Sequence, residues 1–344
     1  MIKKFDRYAR RDCFAGETRK ELEAWQKETR ELLGRLLGLD KMETCPLQSL
    51  TEDVTVLPDG IRREHVRIQA EPDVWVTLYL LIPEGADESA PVILCPHGHG
   101  GNGKYAVAGL REYKAIAESI RHYEYDYGLQ AARRGYVAVC PDSRGFGERR
   151  EDPVDAKDPE TAMKNDCYRL AHMGEPLGIP AAGMFTWDLM RILDYLEERK
   201  QWNTNNAGCL GFSGGGMQTL FLSALDERIR FCVISGYFYG YKDALLTLNN
   251  NCSCNYVPHL WEHLDMGDIG CLIAPRPMWI QSCRDDRLNG PRGIVNAQEQ
   301  VEIVRRAYGL MEAQERVIHE ICEGPHRWHG ENLEILERLV QYGK

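Results

Sequence analysis

The sequence predicts an α/β fold in which a mostly parallel central sheet is flanked by helices. From residue 91 onward, short and continuously apolar runs alternate with stretches of helical periodicity, as is typical of parallel strands buried on both faces. Each run ends in Gly, Pro, His, Asp or Ser, and open parallel sheets hold their ligands at the carboxyl ends of their strands. The runs are PVILCPHGHGG, YVAVCPDSRGFGE, AGCLGFSGGG, RFCVISGYF, PMWIQSCRDD and RVIHEICEGPH.

The elements before residue 91 differ in pattern. Residues 17–39 carry leucines and a tryptophan at three- and four-residue spacings, which predicts an amphipathic helix that packs on the domain or on a second copy of the chain. The segments DVTVL, IRREHVRIQA and DVWVTLYLLIP alternate apolar and polar residues, which predicts antiparallel strands at one edge of the sheet.

These patterns predict an N-terminal helical extension over residues 1–50 and an α/β domain over residues 51–344. Two long segments, at about 148–183 and 237–268, interrupt the alternation of strands and helices. Both follow strands at the ligand-binding edge of the sheet. We therefore expect them to form a cap over that edge.

Composition excludes several classes of protein. With 43% hydrophobic and 27% charged residues among 344, the chain has the composition of a soluble globular protein. A formal net charge of -10 argues against a nucleic-acid partner, which would need a basic surface. No apolar run approaches the ~18 residues of a membrane span, and the start has no apolar signal segment, so a cytoplasmic location is expected. The twelve scattered cysteines are then expected to be reduced thiols.

The candidate nucleophile is Ser213. Gly211, Ser213 and Gly215 form a G-x-S-x-G sequence between an apolar run and a helical stretch. In such a strand-to-helix turn the serine oxygen is exposed, and glycines avoid clashes in the tight bend. The alternative is a structural turn in which the serine is merely a small residue.

A serine needs a neighbouring base and an acid that orients that base. The segment EICEGPHRWHG offers two histidines, of which His326 is favoured over His329 because it comes first after the Gly-Pro turn. In WIQSCRDDRLNG, Asp286 is favoured over Asp285 as the acid, and Asp243 is a further competitor.

The chain order Ser213, Asp286, His326 is the order expected of this architecture. An oxyanion site needs two further donors. The N–H of Gly214, which follows the nucleophile, is the first candidate. The loop CPHGHGG, after an early strand, supplies the second candidate, the N–H of His99.

Together these motifs resemble the α/β-hydrolase superfamily, and within it the dienelactone hydrolase-like and acetyl xylan esterase-like branch, over residues 60–340. The resemblance implies the α/β-hydrolase fold, a catalytic triad and oxyanion hole of the residues named above, and no cofactor or metal. The chain departs from dienelactone hydrolases, which use a cysteine at the position of Ser213. It also has Cys283 where many relatives have Gly, and Arg287 where they have Pro after the acid.

The predicted function is a serine hydrolase that cleaves a carboxylic ester in a small molecule or an oligosaccharide. A small acyl group on a carbohydrate is suggested by the family analogy and by the aromatic residues of GYFYGYKD, Trp261 and Trp328. One alternative is a peptidase of the prolyl oligopeptidase type, although no propeller repeats precede the core. Another is a non-catalytic binding module.

A third alternative is a zinc hydrolase. The segment HLWEH, residues 259–263, has the H-x-x-E-H form of a zinc motif. HGH and CSC also carry metal-binding side chains. Each supplies only two ligands, which do not make a closed site.

Two charged features have structural interpretations. Arg144, in DSRGFGE, is expected to hold its loop through carboxylate or carbonyl contacts. Asp188 and Arg191 lie one helical turn apart and are expected to pair.

Overall fold

The computed structural model describes residues 2–151 and 158–343. In this part of the chain, nine strands form one sheet in the order β1-β2-β3-β5-β4-β6-β7-β8-β9. The strands are β1 Ser49–Val56, β2 Arg62–Glu71, β3 Val74–Ile82, β4 Pro91–Leu94, β5 Val137–Pro141, β6 Asn203–Phe212, β7 Ile229–Ser235, β8 Met278–Cys283 and β9 Val317–Cys322.

Strand direction follows the sequence prediction. β1, β2 and β3 are antiparallel neighbours at one edge, and β3 is also antiparallel to β5. From β5 to β9 all neighbouring strands are parallel. β4 lies between β5 and β6, so the strand order reverses at β4. The crevice at the carboxyl ends of β4 and β6 is therefore where a ligand site is expected.

Helices cover both faces of the sheet. The helices are α1 Ile2–Phe5, α2 Arg19–Leu36, α3 Lys104–Val107, α4 Lys114–Tyr123, α5 Tyr127–Arg133, α6 Pro159–Ala162, α7 Cys167–Gly174, α8 Ala181–Arg199, α9 Gly214–Leu225, α10 Leu260–His263, α11 Met266–Cys271, α12 Ile294–Leu310 and α13 Ile335–Gly343. One core cluster includes residues from α2, α8, α9, α11 and α12, and a second includes residues from α3, α4, α5 and α13. No helix among the described residues has the length and apolar character needed to cross a bilayer.

The amphipathic helix predicted near the N-terminus is α2. A capping box of Thr18 and Glu21 satisfies backbone N–H groups at its start. Its apolar face is buried, and the side-chain amide of Gln26 donates to the carbonyls of Cys271 at 2.8 Å and Ala274 at 2.9 Å. The helix therefore packs on its own domain.

The two segments predicted as insertions follow β5 and β7, at the carboxyl edge of the sheet. Residues 152–157 of the first lie outside the described residues; the part that follows includes α7. The second includes a π-helical turn, Lys242–Thr247, and a 3-10 turn, Ser253–Asn255. The two segments meet where Nε2 of His172, in α7, lies 3.0 Å from Oγ of Ser253.

Arg144 holds its loop by ion pairs, as predicted. Its guanidinium lies 2.8 Å from the carboxylate of Asp188, which also accepts from Arg149 at 2.6 Å. The predicted pairing of Asp188 with Arg191 is wrong, because Arg191 pairs with Asp194 instead. Two arginines from the loop after β5 satisfy Asp188 inside the core, and Arg191 pairs with a carboxylate three residues later on its own helix.

A fully buried lysine holds the loop after β4 against the loop after β5. Nζ of Lys104 lies 2.5 Å from the carboxylates of both Asp142 and Glu148, and its side chain has no exposed area. Asp142 also accepts a hydrogen bond from the hydroxyl of Thr77 at 2.7 Å. Such a pair persists because breaking it would leave an uncompensated buried charge.

Replacing Lys104 by Met is expected to lower the free energy of unfolding by about 3–5 kcal/mol, because Asp142 would stay buried without its cation. Urea unfolding followed by circular dichroism measures the change. The matched control is Arg19→Met, which breaks an exposed pair with Glu23 and should cost no more than about 0.5 kcal/mol. Equal urea midpoints for Lys104→Met and wild type would contradict this account.

Glu148 should make stability depend on pH. Burial raises the pKa of Glu148, but hydrogen bonds with His65 and Lys104 and the charge of Lys104 outweigh that effect and lower it from 4.5 to about 2. The charged carboxylate therefore stabilises the fold above pH 4.5, and this contribution is lost as the pH falls from 4.5 toward 2. Glu148→Gln should flatten the fall in stability over this window, as measured by urea midpoints. An unchanged pH profile in the variant would refute the assignment.

Candidate active site

The turn around Ser213 joins β6 to α9. Ser213 has φ 58° and ψ −123°, a conformation that non-glycine residues seldom adopt. Such a backbone costs about 1–3 kcal/mol and persists only where the surroundings impose it. Here the N–H of Ser213 donates to the carbonyl of Ser235, at the end of β7, at 2.8 Å. The half-buried Ser213 thus stands at the carboxyl edge of the sheet.

The loop after β4 lies directly against this turn. A Cβ added at Gly98 would lie 2.8 Å from the backbone N of Gly214 and 2.7 Å from the hydroxyl oxygen of Tyr125. A Cβ at Gly215 would lie 2.1 Å from the carbonyl oxygen of Pro96. Only glycine fits at these two positions, because the backbones themselves are in contact.

This contact places Gly214 and His99, the residues of the two predicted oxyanion donors, in adjoining turns. Gly214 is the first residue of α9, so its N–H has no acceptor within the helix. His99 follows Gly98 in the adjoining loop, where Gly98 itself donates to the hydroxyl of Tyr125 at 2.8 Å.

His97 was not singled out by the sequence reasoning, and its role is to hold this loop. Its Nδ1–H donates to the carbonyl of Gly98 at 2.8 Å, and its Nε2 accepts from the N–H of Ser143 at 3.0 Å. Burial lowers the pKa of His97 to about 4, which keeps the ring neutral and able to accept that bond. In the sequence, the only sign of this role is that His97 is the first histidine of HGH. Its orientation depends on Ser143, which lies far along the chain.

The predicted base and acid are in contact. Nδ1–H of His326 donates to Oδ2 of Asp286 at 2.6 Å. The other carboxylate oxygen, Oδ1, accepts from the N–H of Leu288 at 2.8 Å. The side chain of Asp286 is 1% exposed and that of His326 is 20% exposed. The buried carboxylate thus has partners for both oxygens and fixes the orientation of the imidazole.

The competing candidates lie in other contacts. Asp285 is exposed, and Asp243 pairs with Arg292. Nδ1 of His329 lies 3.5 Å from the carboxylate of Glu331. The neighbours Asp285 and Asp286 thus differ in burial and in their contacts.

A cavity of about 320 Å³ includes Ser213, Gly214, His99 and His326 in its walls. The aromatic lining residues are Tyr123, Tyr125, Phe212, Tyr237 and Tyr239, and the amide-bearing ones are Asn250, Asn251 and Asn255. The cavity therefore combines flat apolar faces with amide donors and acceptors. Tyr237, Tyr239 and the three asparagines follow β7 and belong to the segment that was predicted to form part of a cap.

Trp261 and Trp328, which could present flat faces to a substrate or serve in packing, both take part in packing. Trp328 is fully buried in the core, where its indole N–H donates to Gln130 at 3.0 Å. Trp261 stacks on Tyr241 with a centroid separation of 6.4 Å. Neither tryptophan lines the cavity around Ser213.

A larger cleft of about 600 Å³ lies elsewhere on the surface. Charged side chains dominate its lining, among them Arg67, Arg144 and Glu148, and these are already engaged in ion pairs. Ser213 and His326 are not in its walls. The smaller cavity is therefore the candidate active site, since it alone contains the serine and the histidine.

The HLWEH segment does not form one ligand set. His259 precedes a helix of four residues and lies 3.1 Å from Glu262, whereas His263 hydrogen-bonds to Asp12 at 2.6 Å. Among the described residues, two groups have the spacing of metal ligands, and neither contains these histidines.

One of those two groups adjoins the candidate active site: His99, Cys167, Cys252 and Cys254. The HGH and CSC fragments contribute His99, Cys252 and Cys254, whose grouping no local pattern predicts. Cys167 lies far from both in sequence and is brought to them by α7.

Comparison with known proteins agrees with this architecture. The chain is 26% identical over 284 residues to "Putative hydrolase YtaP" of Bacillus subtilis (strain 168), covering 82% of this chain and 88% of that protein. A crystal structure titled as a putative acetyl xylan esterase from Bacteroides fragilis NCTC 9343 superposes with a TM-score of 0.75 at 20% identity, covering 91% of this chain and 79% of the other. A glucuronoyl esterase from Solibacter usitatus gives a TM-score of 0.65 at 15% identity, with 93% of each chain covered.

At these identities the structural neighbours show the fold, which confirms the predicted α/β-hydrolase architecture. A match to a family model shows, in addition, that the chain is related to a known family by sequence. Residues 3–338 match the model of the Abhydrolase family. Because the match spans nearly the whole sequence, the chain belongs to the Abhydrolase family.

Proposed function

We propose that the protein is a serine esterase that cleaves a small acyl ester of a carbohydrate. The observation that carries the proposal is the 2.6 Å hydrogen bond from His326 to the buried Asp286, with His326 and Ser213 in the walls of one cavity. A histidine held through Nδ1 by a carboxylate keeps Nε2 for the proton of a serine. No cofactor is needed for this chemistry.

Acylation begins when Nε2 of His326 takes the proton of Ser213 as its oxygen attacks the ester carbonyl. Negative charge develops on the carbonyl oxygen, and the N–H groups of Gly214 and His99 would donate to it. Their backbone positions cost no reorganisation during the reaction, since the contact at Gly98 already holds the two turns together. His326 then protonates the leaving alcohol.

Deacylation repeats these roles with water as the nucleophile. His326 accepts a proton from water, and the second tetrahedral intermediate releases the carboxylic acid and restores Ser213. The carboxylate of Asp286 stabilises the imidazolium that forms in each step. Its burial and its second hydrogen bond, from Leu288, keep it in place.

The carbohydrate part of the proposal has two supports. Structural neighbours carry the names acetyl xylan esterase and glucuronoyl esterase. In addition, three asparagine side chains and several tyrosines line the cavity, and these can bind hydroxyl groups and the flat apolar faces of sugar rings. Acetylated xylo-oligosaccharides are the first substrates to examine, with a glucuronate ester and a peptide amide beside them. We expect turnover of the acetyl ester and none of the peptide.

Ser213→Ala should abolish labelling by a fluorophosphonate and reduce ester hydrolysis by about 10⁴-fold or more, because no other group would form the acyl-enzyme. Intact-mass analysis counts the adducts. The matched control is Ser282→Ala, because Oγ of Ser282 also lies near a histidine, 3.1 Å from Nε2 of His319, but outside the cavity. This control should keep one adduct. An adduct on Ser213→Ala would show that Ser213 is not the nucleophile.

Separate variants of the two neighbouring aspartates test the acid. Asp286→Asn should lower kcat by about 10⁴-fold, because His326 would lose its orienting carboxylate. Asp285→Asn should stay within about twofold, since an exposed side chain is changed. Steady-state kinetics on a chromogenic acetyl ester give both values. The reverse pattern would transfer the role to Asp285.

A parallel pair of variants tests the base. His326→Ala should lose hydrolysis as severely as Ser213→Ala, because the two residues act as one unit. His329→Ala should retain most of the activity, since its ring faces Glu331. Loss of activity in His329→Ala alone, with the fold intact by circular dichroism, would contradict the choice of base.

A further inference from the structure

We propose that His99, Cys167, Cys252 and Cys254 bind one structural zinc ion beside the candidate active site. This inference goes beyond the proposed esterase chemistry and does not depend on it. The four side chains converge from three separate parts of the chain: the loop after β4, the start of α7, and the cap segment after β7.

The spacing of the ligand atoms fits a tetrahedral ion. One imidazole nitrogen and three sulfurs all lie within 4.8 Å of one another. Nε2 of His99 and Sγ of Cys254 are 3.6 Å apart. With Zn–S of about 2.3 Å and Zn–N of about 2.1 Å, tetrahedral coordination puts a sulfur and a nitrogen about 3.6 Å apart.

The type and burial of the donors also favour zinc. Three cysteines and one histidine are a common structural zinc set, and thiolates select soft metals. Cys167 and Cys254 are buried, and His99 and Cys252 are half-buried. The side-chain amide of Asn255 donates to Sγ of Cys254 at 3.5 Å, which is the kind of outer contact that orients a thiolate ligand.

The other ligand-spaced group in the described chain lacks these properties. Glu52, His65 and Glu148 are more exposed, and cations already neutralise both carboxylates: Arg67 lies 3.1 Å from Glu52, and Lys104 lies 2.5 Å from Glu148. Ion pairs therefore explain why these three side chains lie close together, without a metal ion.

Bound zinc would have a structural role rather than a catalytic one. With four protein ligands the ion has no open position for water or substrate. On binding, each thiol gives up its proton to solvent, and three thiolates and a neutral imidazole hold the ion. The site would link α7 and the cap segment to His99, whose backbone N–H is the proposed oxyanion donor. It would thereby fix one wall of the cavity.

Metal content is the first test. Wild-type protein purified with a reductant and without chelators should contain about one zinc ion per chain, as measured by inductively coupled plasma mass spectrometry. Cys254→Ser and Cys167→Ser should each retain less than about a tenth of that amount. The control is Cys271→Ser, which changes a buried cysteine outside the group and should keep the full content. A different metal at one per chain would overturn the assignment of zinc.

A second measurement covers variants that fail to fold. Reduced wild-type protein, stripped by a chelator, is titrated with Co²⁺ and then with Zn²⁺. We expect intense visible bands of tetrahedral cobalt, a thiolate charge-transfer band, saturation at one ion per chain, and loss of both signals on adding zinc. Absence of these bands together with no zinc in the purified protein would refute the site.

Thermal unfolding and serine labelling separate this inference from the esterase proposal. Chelation should lower Tm by more than about 5 °C in wild type and leave the Tm of Cys254→Ser unchanged. Zinc without a fluorophosphonate adduct would support the metal site and refute the esterase. An adduct without zinc, in reduced protein, would refute the metal site alone.

Discussion

The close approach of two backbone turns, one after β4 and one after β6, is the constraint on which the candidate site depends. At Gly98 and Gly215 no side chain fits, because backbone atoms of the opposite turn occupy the space. This contact is possible because β4 and β6 are adjacent parallel strands whose carboxyl ends meet at one edge. The proposed nucleophile and both proposed oxyanion donors therefore belong to a single rigid junction.

Buried polar groups hold that junction from the outside. His97 links its own loop to the N–H of Ser143, and Lys104 links the same loop to Asp142. Tyr127 donates to the carbonyl of Pro96 at 2.6 Å. Each contact satisfies a buried donor or acceptor, so displacement of the loop would leave unpaired groups inside the protein. This requirement keeps the strained turn at Ser213 in place.

His99 connects the two turns of the candidate site to the segment after β7. Its backbone belongs to the junction, whereas its side chain reaches Cys254 in the cap segment. α7 meets the same segment through Cys167 and through His172. The shape of the cavity thus depends on contacts among three parts of the chain that do not adjoin in sequence. A metal ion at this point would tie the substrate-binding wall to the oxyanion loop.

Much of the fold, and part of the candidate site, was predictable from sequence, because the signals concerned are local. The alternation of apolar runs and helices reflects burial on both faces of a parallel sheet. Gly211 reflects the sterics of one turn, because a Cβ there would lie 2.1 Å from the carbonyl oxygen of Gly215. Those patterns arise from covalent neighbours, so a single sequence determines them.

Only the tertiary structure decided which distant side chains meet. Asp285 and Asp286 are chemically equal neighbours, yet one is exposed and the other is buried against His326. Cys167 reaches the other cysteines through the path of α7, and Trp328 is buried in the core, away from the candidate site. The sequence determined the strands, the turns and the residue types at the strand ends. Their pairing was decided by packing, because contacts across many residues depend on the whole fold and on no local pattern.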